Sequence, residues 1–517
     1  MFWKQMKNEP KEVLNWRFFL SAVVFGLMGA ARGLDEGTIS GTLKHPAFVN
    51  MVGMNEDSGK SESQLANLKS NISSMVQIGC IGGCILGFIL NDRIGRLKTF
   101  RTLCVIWIVG VIIQITTYTG VGQLYAGRFI AGIGIGMTAV SAPTYLSEIS
   151  PAGCRGFSVC LYSGSVYLGV MIGQFANYGT TLHMSDSSRK QWVVPTSVQI
   201  AYAGLFFIGS FFTLESPRWL FKVGRDEEAM NNLSKIRNLP TTDPYITWES
   251  NQILGQVEIE SERSSVWGCI KQLFTKYRYR MTICLLIQLI GQWTGANAVT
   301  IYAPDFFELV GVSDTMDQMK LTAVLGTVKL ISSIIVAVLL IDLIGRKRSL
   351  FSGICVQLFS LIYVTVFVAK GGSHAAADGA VAMLYLNGFG WALGFNACQY
   401  LINSEIFPLT VRSVATAIIM AFHFANQYAN SRALPPMNVS MGDYGALAFF
   451  ACITFIGLLF TIFMLPEPAG HSLEAVEQLF DLPWYKIAHY KFEEPTLEQK
   501  EEKAGGIEHV EHVDSKA

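Results

Sequence analysis

Twelve windows of roughly twenty mostly apolar residues run through this chain. They lie at 18–43, 72–91, 102–119, 123–147, 157–179, 192–214, 281–308, 319–341, 349–369, 379–404, 412–434 and 445–465. Inside a bilayer every backbone N–H and C=O must be satisfied within the protein, which leaves helices or closed barrels as spanning elements. Windows of this length, without period-two alternation, select helices. Composition agrees: 15% of the 517 residues are charged and 51% are hydrophobic, with a mean hydropathy of +0.36, whereas soluble chains carry about a quarter charged residues. The first window has no small-residue cleavage site close behind it and eleven more follow, so it reads as a span and not a removable signal. The expectation is an all-α membrane protein with twelve transmembrane helices.

Basic residues in short connections orient such a chain. Arg93, Arg96, Lys98 and Arg101 follow the second window, and Arg346, Lys347 and Arg348 follow the eighth, while 119–122 and 435–444 hold no Lys or Arg. This pattern places both termini in the cytoplasm. The formal net charge is zero and divides among loops, which offers no basic face to nucleic acid. Ten cysteines are scattered, mostly within apolar windows, and Cys80 and Cys84 sit one helical turn apart. That spacing suits neither a metal site nor a disulfide framework, so they read as small core residues. No cofactor is implied.

The chain also carries one charge signature twice. Glu148-Ile149-Ser150-Pro151 precedes Arg155, and Glu405-Ile406-Phe407-Pro408 precedes Arg412 at the same spacing. Asp92-Arg93-Ile94-Gly95-Arg96 and Asp342-Leu343-Ile344-Gly345-Arg346 form a second pair in the same order, with offsets 405 − 148 = 257 and 342 − 92 = 250. A duplicated half explains both, and parallel repeats of this kind build many secondary transporters with the solute between the halves. The expected organisation is a polar arm at 1–16, a six-helix bundle at 17–214, a cytoplasmic helical linker at 215–280, and a second six-helix bundle at 281–465. A cytoplasmic helix to Phe480 and a charged tail from Glu493 would fill 466–517. Residues 44–70 read as an extracellular loop.

These motifs in this order resemble the sugar porter family of the major facilitator superfamily. The resemblance includes Gly127-Arg128-Phe129 with Gly132, Gly134 and Gly136, and Gln292-Trp293-Thr294-Gly295-Ala296-Asn297. It also includes Glu215-Ser216-Pro217-Arg218-Trp219-Leu220 and Pro466-Glu467, and it runs from the first helix to residue 480. It implies two bundles working by alternating access on a monosaccharide-like solute; the accompanying expectations are a monomeric functional unit and the plasma membrane, with the vacuolar membrane as the alternative. It further implies proton coupling through Asp35 with Arg128 as its partner, since uniporters of the family tend to be neutral at the Asp35 position.

An acid within a membrane span is by default a functional residue, which makes Asp35 the most consequential one here. A static pairing of Asp35 or Glu36 with Arg32 is the structural alternative, and passive uniport the functional one. Gln288 and Gln292 share a helical face, and His423, Asn426, Gln427 and Asn430 follow helical spacing. With Asn297, Asn396 and Tyr400 they are the candidate solute contacts, because amides both donate and accept. The family's habitual glutamines, tryptophans and glycine are replaced by Ser163, Gly291, Tyr400, Gln427 and Asn396, which argues against glucose itself. Lys329 and Arg432 are candidate anion contacts for a carboxylated solute such as a uronic acid or quinate. Asp92, Arg96, Glu148, Arg155, Asp342, Arg346, Glu405 and Arg412 are the candidate cytoplasmic gate. No nucleophile, base or metal constellation suggests an enzyme, and the short tail argues against a sugar sensor.

Overall fold

The computed structural model describes residues 11–13, 15–55, 59–151, 155–261, 265–336, 344–442, 444–467, 479–480, 487 and 490. Its regular structure there is entirely helical. The spanning helices are α1 (Trp16–Thr42, with a 3-10 turn at Leu27–Gly29), α2 (Glu62–Ile94), α3 (Arg96–Ile115), α4 (Gly122–Ile149), α5 (Arg155–His183) and α6 (Lys190–Gly209). The second set is α7 (Arg278–Trp293, then Ala296–Ile301), α8 (Thr315–Ile335), α9 (Arg346–Lys370), α10 (His374–Trp391, then Ala397–Ile406), α11 (Leu409–Met441) and α12 (Gly445–Phe463). Twelve transmembrane helices form two six-helix bundles. Nine stretches among the described residues are long and apolar enough to cross a membrane; α5, α10 and α11 fall on the other three windows. The helix expected to run up to Phe480 and the tail from Glu493 lie largely outside the described residues, as does most of the N-terminal arm.

Two boundaries differ from the hydropathy windows, each for a local reason. α2 starts ten residues before its window because Ser61 and Gln64 form a reciprocal capping box: Gln64 N donates to Ser61 Oγ at 3.3 Å and Ser61 N donates to Gln64 Oε1 at 2.9 Å. The expected loop is therefore partly helix, with a further short helix at Pro46–Val52. α11 continues through Pro435 and Pro436 to Met441. Proline 435 cannot donate to the carbonyl of Ser431 four residues earlier, and the Tyr302 hydroxyl donates to that carbonyl instead, at 2.9 Å.

Glycine stripes set how closely the helices approach. Gly29, Gly33, Gly37 and Gly41 recur every fourth residue along α1 and lie against α5. A Cβ at Gly33 would come 1.7 Å from the Val166 carbonyl oxygen, and one at Gly169 would come 2.2 Å from that of Ala30. Gly79 of α2 and Gly132 of α4 face each other in the same way, with Gly83 against the Ile133 carbonyl and Gly136 against that of Cys80. Without a hydrophobic force between helices in lipid, such small-residue contacts provide the packing. With that face of α1 committed to α5, Asp35 turns toward α4 while Arg32 and Glu36 turn toward the second bundle.

The duplicated motifs share a second device. The turns at Gly95 (φ 93°) and Gly345 (φ 90°) leave the first N–H groups of α3 and α9 exposed. Glu215, after α6, accepts from Arg96 N and Leu97 N at 3.1 Å each. Glu467, after α12, accepts from Arg346 N at 3.0 Å and Lys347 N at 2.8 Å. The region between the bundles contains helices Pro217–Lys222, Asp226–Arg237, Pro244–Ser261 and Val266–Thr275. Arg237 fastens it to α4 by donating to the Ile149 carbonyl at 2.7 Å while paired with Glu249 at 2.6 Å.

Candidate functional site

The buried centre of the molecule holds two ion pairs that start on α1. Arg128 Nη1 and Nη2 reach the two carboxylate oxygens of Asp35 at 3.3 and 3.2 Å, and Nη2 also donates to the Ser73 carbonyl at 3.2 Å. Both side chains are 3% exposed. Asp35 is thus partnered by Arg128 and not by Arg32. Arg32 pairs with Glu36 instead, Nε to Oε1 at 2.7 Å. Its Nη1 faces His423 Nε2 at 2.8 Å and the Tyr400 hydroxyl at 3.3 Å on the other bundle.

The breaks in α7 and α10 expose polar groups beside these pairs. Gly295 adopts φ 82° and separates the two segments of α7, placing Gln292 just before the break and Asn297 just after it. In α10 a π-helical turn at Ala392–Asn396 shifts the register between Trp391 and Tyr400; such turns recur at functional sites. Gln288 Oε1 lies 2.7 Å from His423 Nδ1, and Gln292 Nε2 lies 3.3 Å from the same atom. A guanidinium only donates, so His423 Nε2 must accept from Arg32. Its Nδ1 then carries the proton and donates to Gln288, and the Gln292 amide is left without an acceptor there.

Several amides are satisfied on one side only. Gln427 Nε2 donates to Glu36 Oε1 at 2.7 Å, and Asn430 Nδ2 donates to the Gln292 carbonyl at 2.5 Å. Gln288 Nε2, Gln292 Oε1, Asn297 Nδ2, Gln427 Oε1 and Asn430 Oδ1 are buried without a hydrogen-bond partner among the described residues. Leaving such a group unsatisfied costs about 1–3 kcal/mol. A cluster mixing free donors with free acceptors fits hydroxyl groups, which do both. Asn426 differs: its Oδ1 accepts from Trp293 Nε1 at 3.3 Å and its Nδ2 donates to the Phe422 carbonyl at 2.9 Å, so both of its polar atoms are engaged. Asn396 is buried at the end of the π turn.

The two expected anion contacts are both occupied within the protein. Lys329 Nζ donates to the Ala296 carbonyl at 3.2 Å and to Thr300 Oγ1, beside the α7 break. Arg432 reaches Ser70 Oγ and Asn67 Oδ1 of α2, at 2.7 Å each. No group of three His, Cys, Asp or Glu among the described residues is placed to hold a metal ion.

Charges gather at both ends of the bundles. At the end carrying the duplicated motifs, Arg96 makes a two-pronged pair with Glu148 at 2.6 and 2.8 Å and lies 3.5 Å from Asp92, which also pairs with Lys222 at 2.9 Å. Arg412 donates to the Phe407 carbonyl at 3.0 and 2.8 Å. Arg346 holds Glu467 through its backbone. Asp342 and the side chains of Arg155 and Glu405 lie outside the described residues.

At the opposite end Asp305 bridges Lys44 of the first bundle at 2.8 Å and Lys69 at 2.6 Å, and Lys44 also meets Glu308 at 2.5 Å. Burial opposes ionisation of Asp305, but Lys69 and Lys44 outweigh it and hold the carboxyl below its ordinary value. Burial likewise works against the charge on Lys44, and Asp305 and Glu308 hold its ammonium above the ordinary lysine value. Lys69, Asp305 and Glu308 border a cavity of about 410 Å³ that is also lined by Tyr302 and Pro435. Sequence reading missed this cluster, whose members are spread over hundreds of positions, and it treated Arg32 only as an alternative partner for the α1 acids.

Two pseudo-symmetric six-helix bundles packed around a buried polar centre define a membrane transporter. The sequence pattern described as "Sugar (and other) transporter" matches residues 21–480, so the chain belongs to this sugar porter family of the major facilitator superfamily. Relatives include the "MFS-type transporter qa-x" of Neurospora crassa and the "Quinate permease" of Neurospora terricola. Each is 32% identical over 497 residues, covering 93% of this chain and 91% of the relative. The "Quinate permease" of Emericella nidulans is 32% identical over 490 residues, covering 91% and 90%. Among solved structures, a partially occluded inward-open conformation of the xylose transporter XylE from E. coli superposes with a TM-score of 0.75 at 22% identity, covering 89% of this chain and all of that one. The proton:xylose symporter XylE bound to 6-bromo-6-deoxy-D-glucose gives 0.74 at 23% identity, covering 90% and 99%. At this identity the structures speak for the fold.

Proposed function

We propose that this protein is a proton-coupled symporter that carries a monosaccharide-like solute across the plasma membrane by alternating access. The solute class spans hexoses, pentoses and their carboxylated counterparts such as uronic acids and quinate. One observation carries the reading: the buried Asp35–Arg128 pair adjoins a cluster of half-satisfied amides at the break of α7. Protonation of Asp35 would leave Arg128 with the Ser73 carbonyl as its nearest remaining partner and alter how α1, α2 and α4 hold together. A group that loads a proton facing one side and releases it facing the other links the two fluxes. The names of the fungal relatives and of XylE support the solute class and the coupling.

Residues 17–214 and 281–465 are the two moving bodies of one monomeric unit, joined by the linker at 215–280. The motif end faces the cytoplasm with both termini, and its charged residues would gate that side only by exchanging their present partners for ones across the bundles when it closes.

The test is uptake by cells lacking their own transporters, across hexoses, pentoses, polyols and sugar acids at several external pH values. Wild-type uptake should rise with external acidity and collapse with an uncoupler. Asp35→Asn should abolish uphill accumulation, bringing the internal-to-external ratio down to about one, while sparing exchange of labelled for unlabelled solute. Net accumulation by that variant with proton uptake intact would overturn the coupling. Wild-type uptake indifferent to pH and uncoupler would make the protein a uniporter.

A further inference from the structure

We propose that Arg32 is the carboxylate-binding residue of the transport site, that Glu36 occupies its guanidinium as an internal stand-in, and that the solute is a polyhydroxylated ring bearing one carboxylate. This rests on the transport reading above and narrows its substrate. Arg128 is committed to Asp35, and of the three remaining candidate cations two are spoken for. Lys329 is turned onto the oxygens of Ala296 and Thr300, and Arg432 is held by Asn67 and Ser70. Among the described residues, Arg32 alone of the three is joined by side-chain hydrogen bonds to the amide cluster, through His423 to Gln288. The Phe424 ring lies 5.6 Å from its guanidinium carbon and fixes that plane against α11.

The guanidinium is incompletely used. Nε is taken by Glu36 and Nη1 by His423 and Tyr400, and no hydrogen bond is made by Nη2 among the described residues. Glu36 is bound through a single oxygen, Oε1, which also accepts from Gln427. A solute carboxylate could bind the guanidinium two-pronged, the geometry for which arginine is suited, and would release Glu36 and the Gln427 amide toward the ring hydroxyls.

The charges lead to the same conclusion. Arg32, Arg128 and Lys329 against Asp35 and Glu36 leave 3 − 2 = 1 excess positive charge in the middle of the described bundles. A neutral sugar would leave that excess charge in place. One carboxylate cancels it. A proton arriving on Asp35 restores an excess and so favours anion binding. By reciprocity the bound anion favours the proton, which would couple the two without a relay of moving side chains.

The experiment compares solutes matched except for the carboxylate: D-galacturonate against D-galactose, and quinate against its methyl ester. Uptake and ligand-induced thermal stabilisation of the purified protein are both measured. Wild type should favour at least one acid over its neutral partner by tenfold or more. Arg32→Gln should remove that preference, and Arg32→Lys should restore part of it. Should Arg32→Gln not fold, Glu36→Gln still decides: freeing the guanidinium from its stand-in should tighten acid binding severalfold, and unchanged or weaker acid binding overturns the proposal. Equal loss of acid and neutral solute in Arg32→Gln also overturns it, as does loss of acid preference in Lys329→Gln with Arg32→Gln unaffected. Wild-type uptake of neutral sugars without acids defeats this inference and leaves the transport reading standing. No uptake of any solute by protein that reaches the membrane removes the transport reading itself.

Discussion

The two ends of the molecule use charge in opposite ways. At the motif end, the described side-chain ion pairs stay within the first bundle and its linker: Arg96 with Glu148 and Asp92, and Lys222 with Asp92. At the other end the pairs cross between bundles, with Lys44 and Lys69 of the first holding Asp305 and Glu308 of the second. Arg432 adds a further crossing to Asn67 and Ser70. Tyr302 adds another by meeting both Ser73 and the Ser431 carbonyl. A pair inside one bundle stiffens that bundle in every state. A pair between bundles favours whichever state keeps them together. These contacts hold the two bundles together at the end away from the motifs, and they are what a separation of the bundles there must break. If the motif end closes in turn, its acids and arginines would have to trade partners.

The largest expected effect tests the motif end. Glu148→Ala leaves Arg96 buried, at 6% side-chain exposure, without its main partner. Removing one member of a buried pair typically costs about 3–5 kcal/mol. The melting temperature of the purified protein should fall, with little change in which side of the central site accepts a cysteine reagent. A change of sidedness at unchanged melting temperature would make Glu148 a partner across the bundles after all.

Asp305→Ala should do the reverse. It takes the carboxylate from Lys69 and leaves Lys44 with Glu308 alone, and Asp305 is 24% exposed, so about 2 kcal/mol is a fair discounted figure. That corresponds to roughly a thirtyfold shift in population toward states open at this end. Reagent labelling of Asn438→Cys, on the wall of the cavity there, should accelerate accordingly. An unchanged rate would mean that the ion pairs only decorate a closure made by apolar packing.

The smallest effect concerns pH. Asp305 is held below its ordinary value, so its contribution is complete above the ordinary carboxylate pKa and disappears only as pH falls through its lower folded value. Lys44 is held above its own, so its contribution is complete below the ordinary lysine pKa and disappears as pH rises through the higher folded value. The cross-bundle cluster should therefore be insensitive between about pH 4 and 10. Labelling of Asn438→Cys should change less than about twofold between pH 5 and 7, even where uptake changes much more. A steep response in labelling would place a titrating group inside the closure.

How much of this was legible in the sequence depends on the range over which each feature is encoded. The spans and the duplication are local patterns, and they fixed the architecture. The Asp35–Arg128 pair joins residues 93 positions apart and was readable only because the surrounding motifs resemble a known family. Arg32 and Glu36 are one turn apart on α1, and their pairing follows from that spacing, but the spacing does not say that the guanidinium also reaches α11. Nor does it say that α5 takes the glycine face of α1 and so aims Arg32 at the second bundle. Arg432 looked like a cation in need of an anion because hydropathy alone starts α2 at the apolar window; the Ser61–Gln64 capping box starts it ten residues earlier and brings Asn67 alongside. The cross-bundle cluster has no local signature at all.

The two glutamates that cap α3 and α9 bear on how such a chain is made and divided. Their offset, 467 − 215 = 252, falls beside those of the other duplicated motifs, and each comes after the last helix of its own bundle. Each six-helix unit is therefore clasped by its own final residue onto its third helix, and the ancestral cassette ends at that carboxylate, not at the last apolar turn. A chain cut in the linker beyond Glu215 gives two fragments that each retain their clasp. A cut a few residues earlier gives a first fragment with the N–H groups of Arg96 and Leu97 uncapped, and a second that begins with a carboxylate belonging to the first.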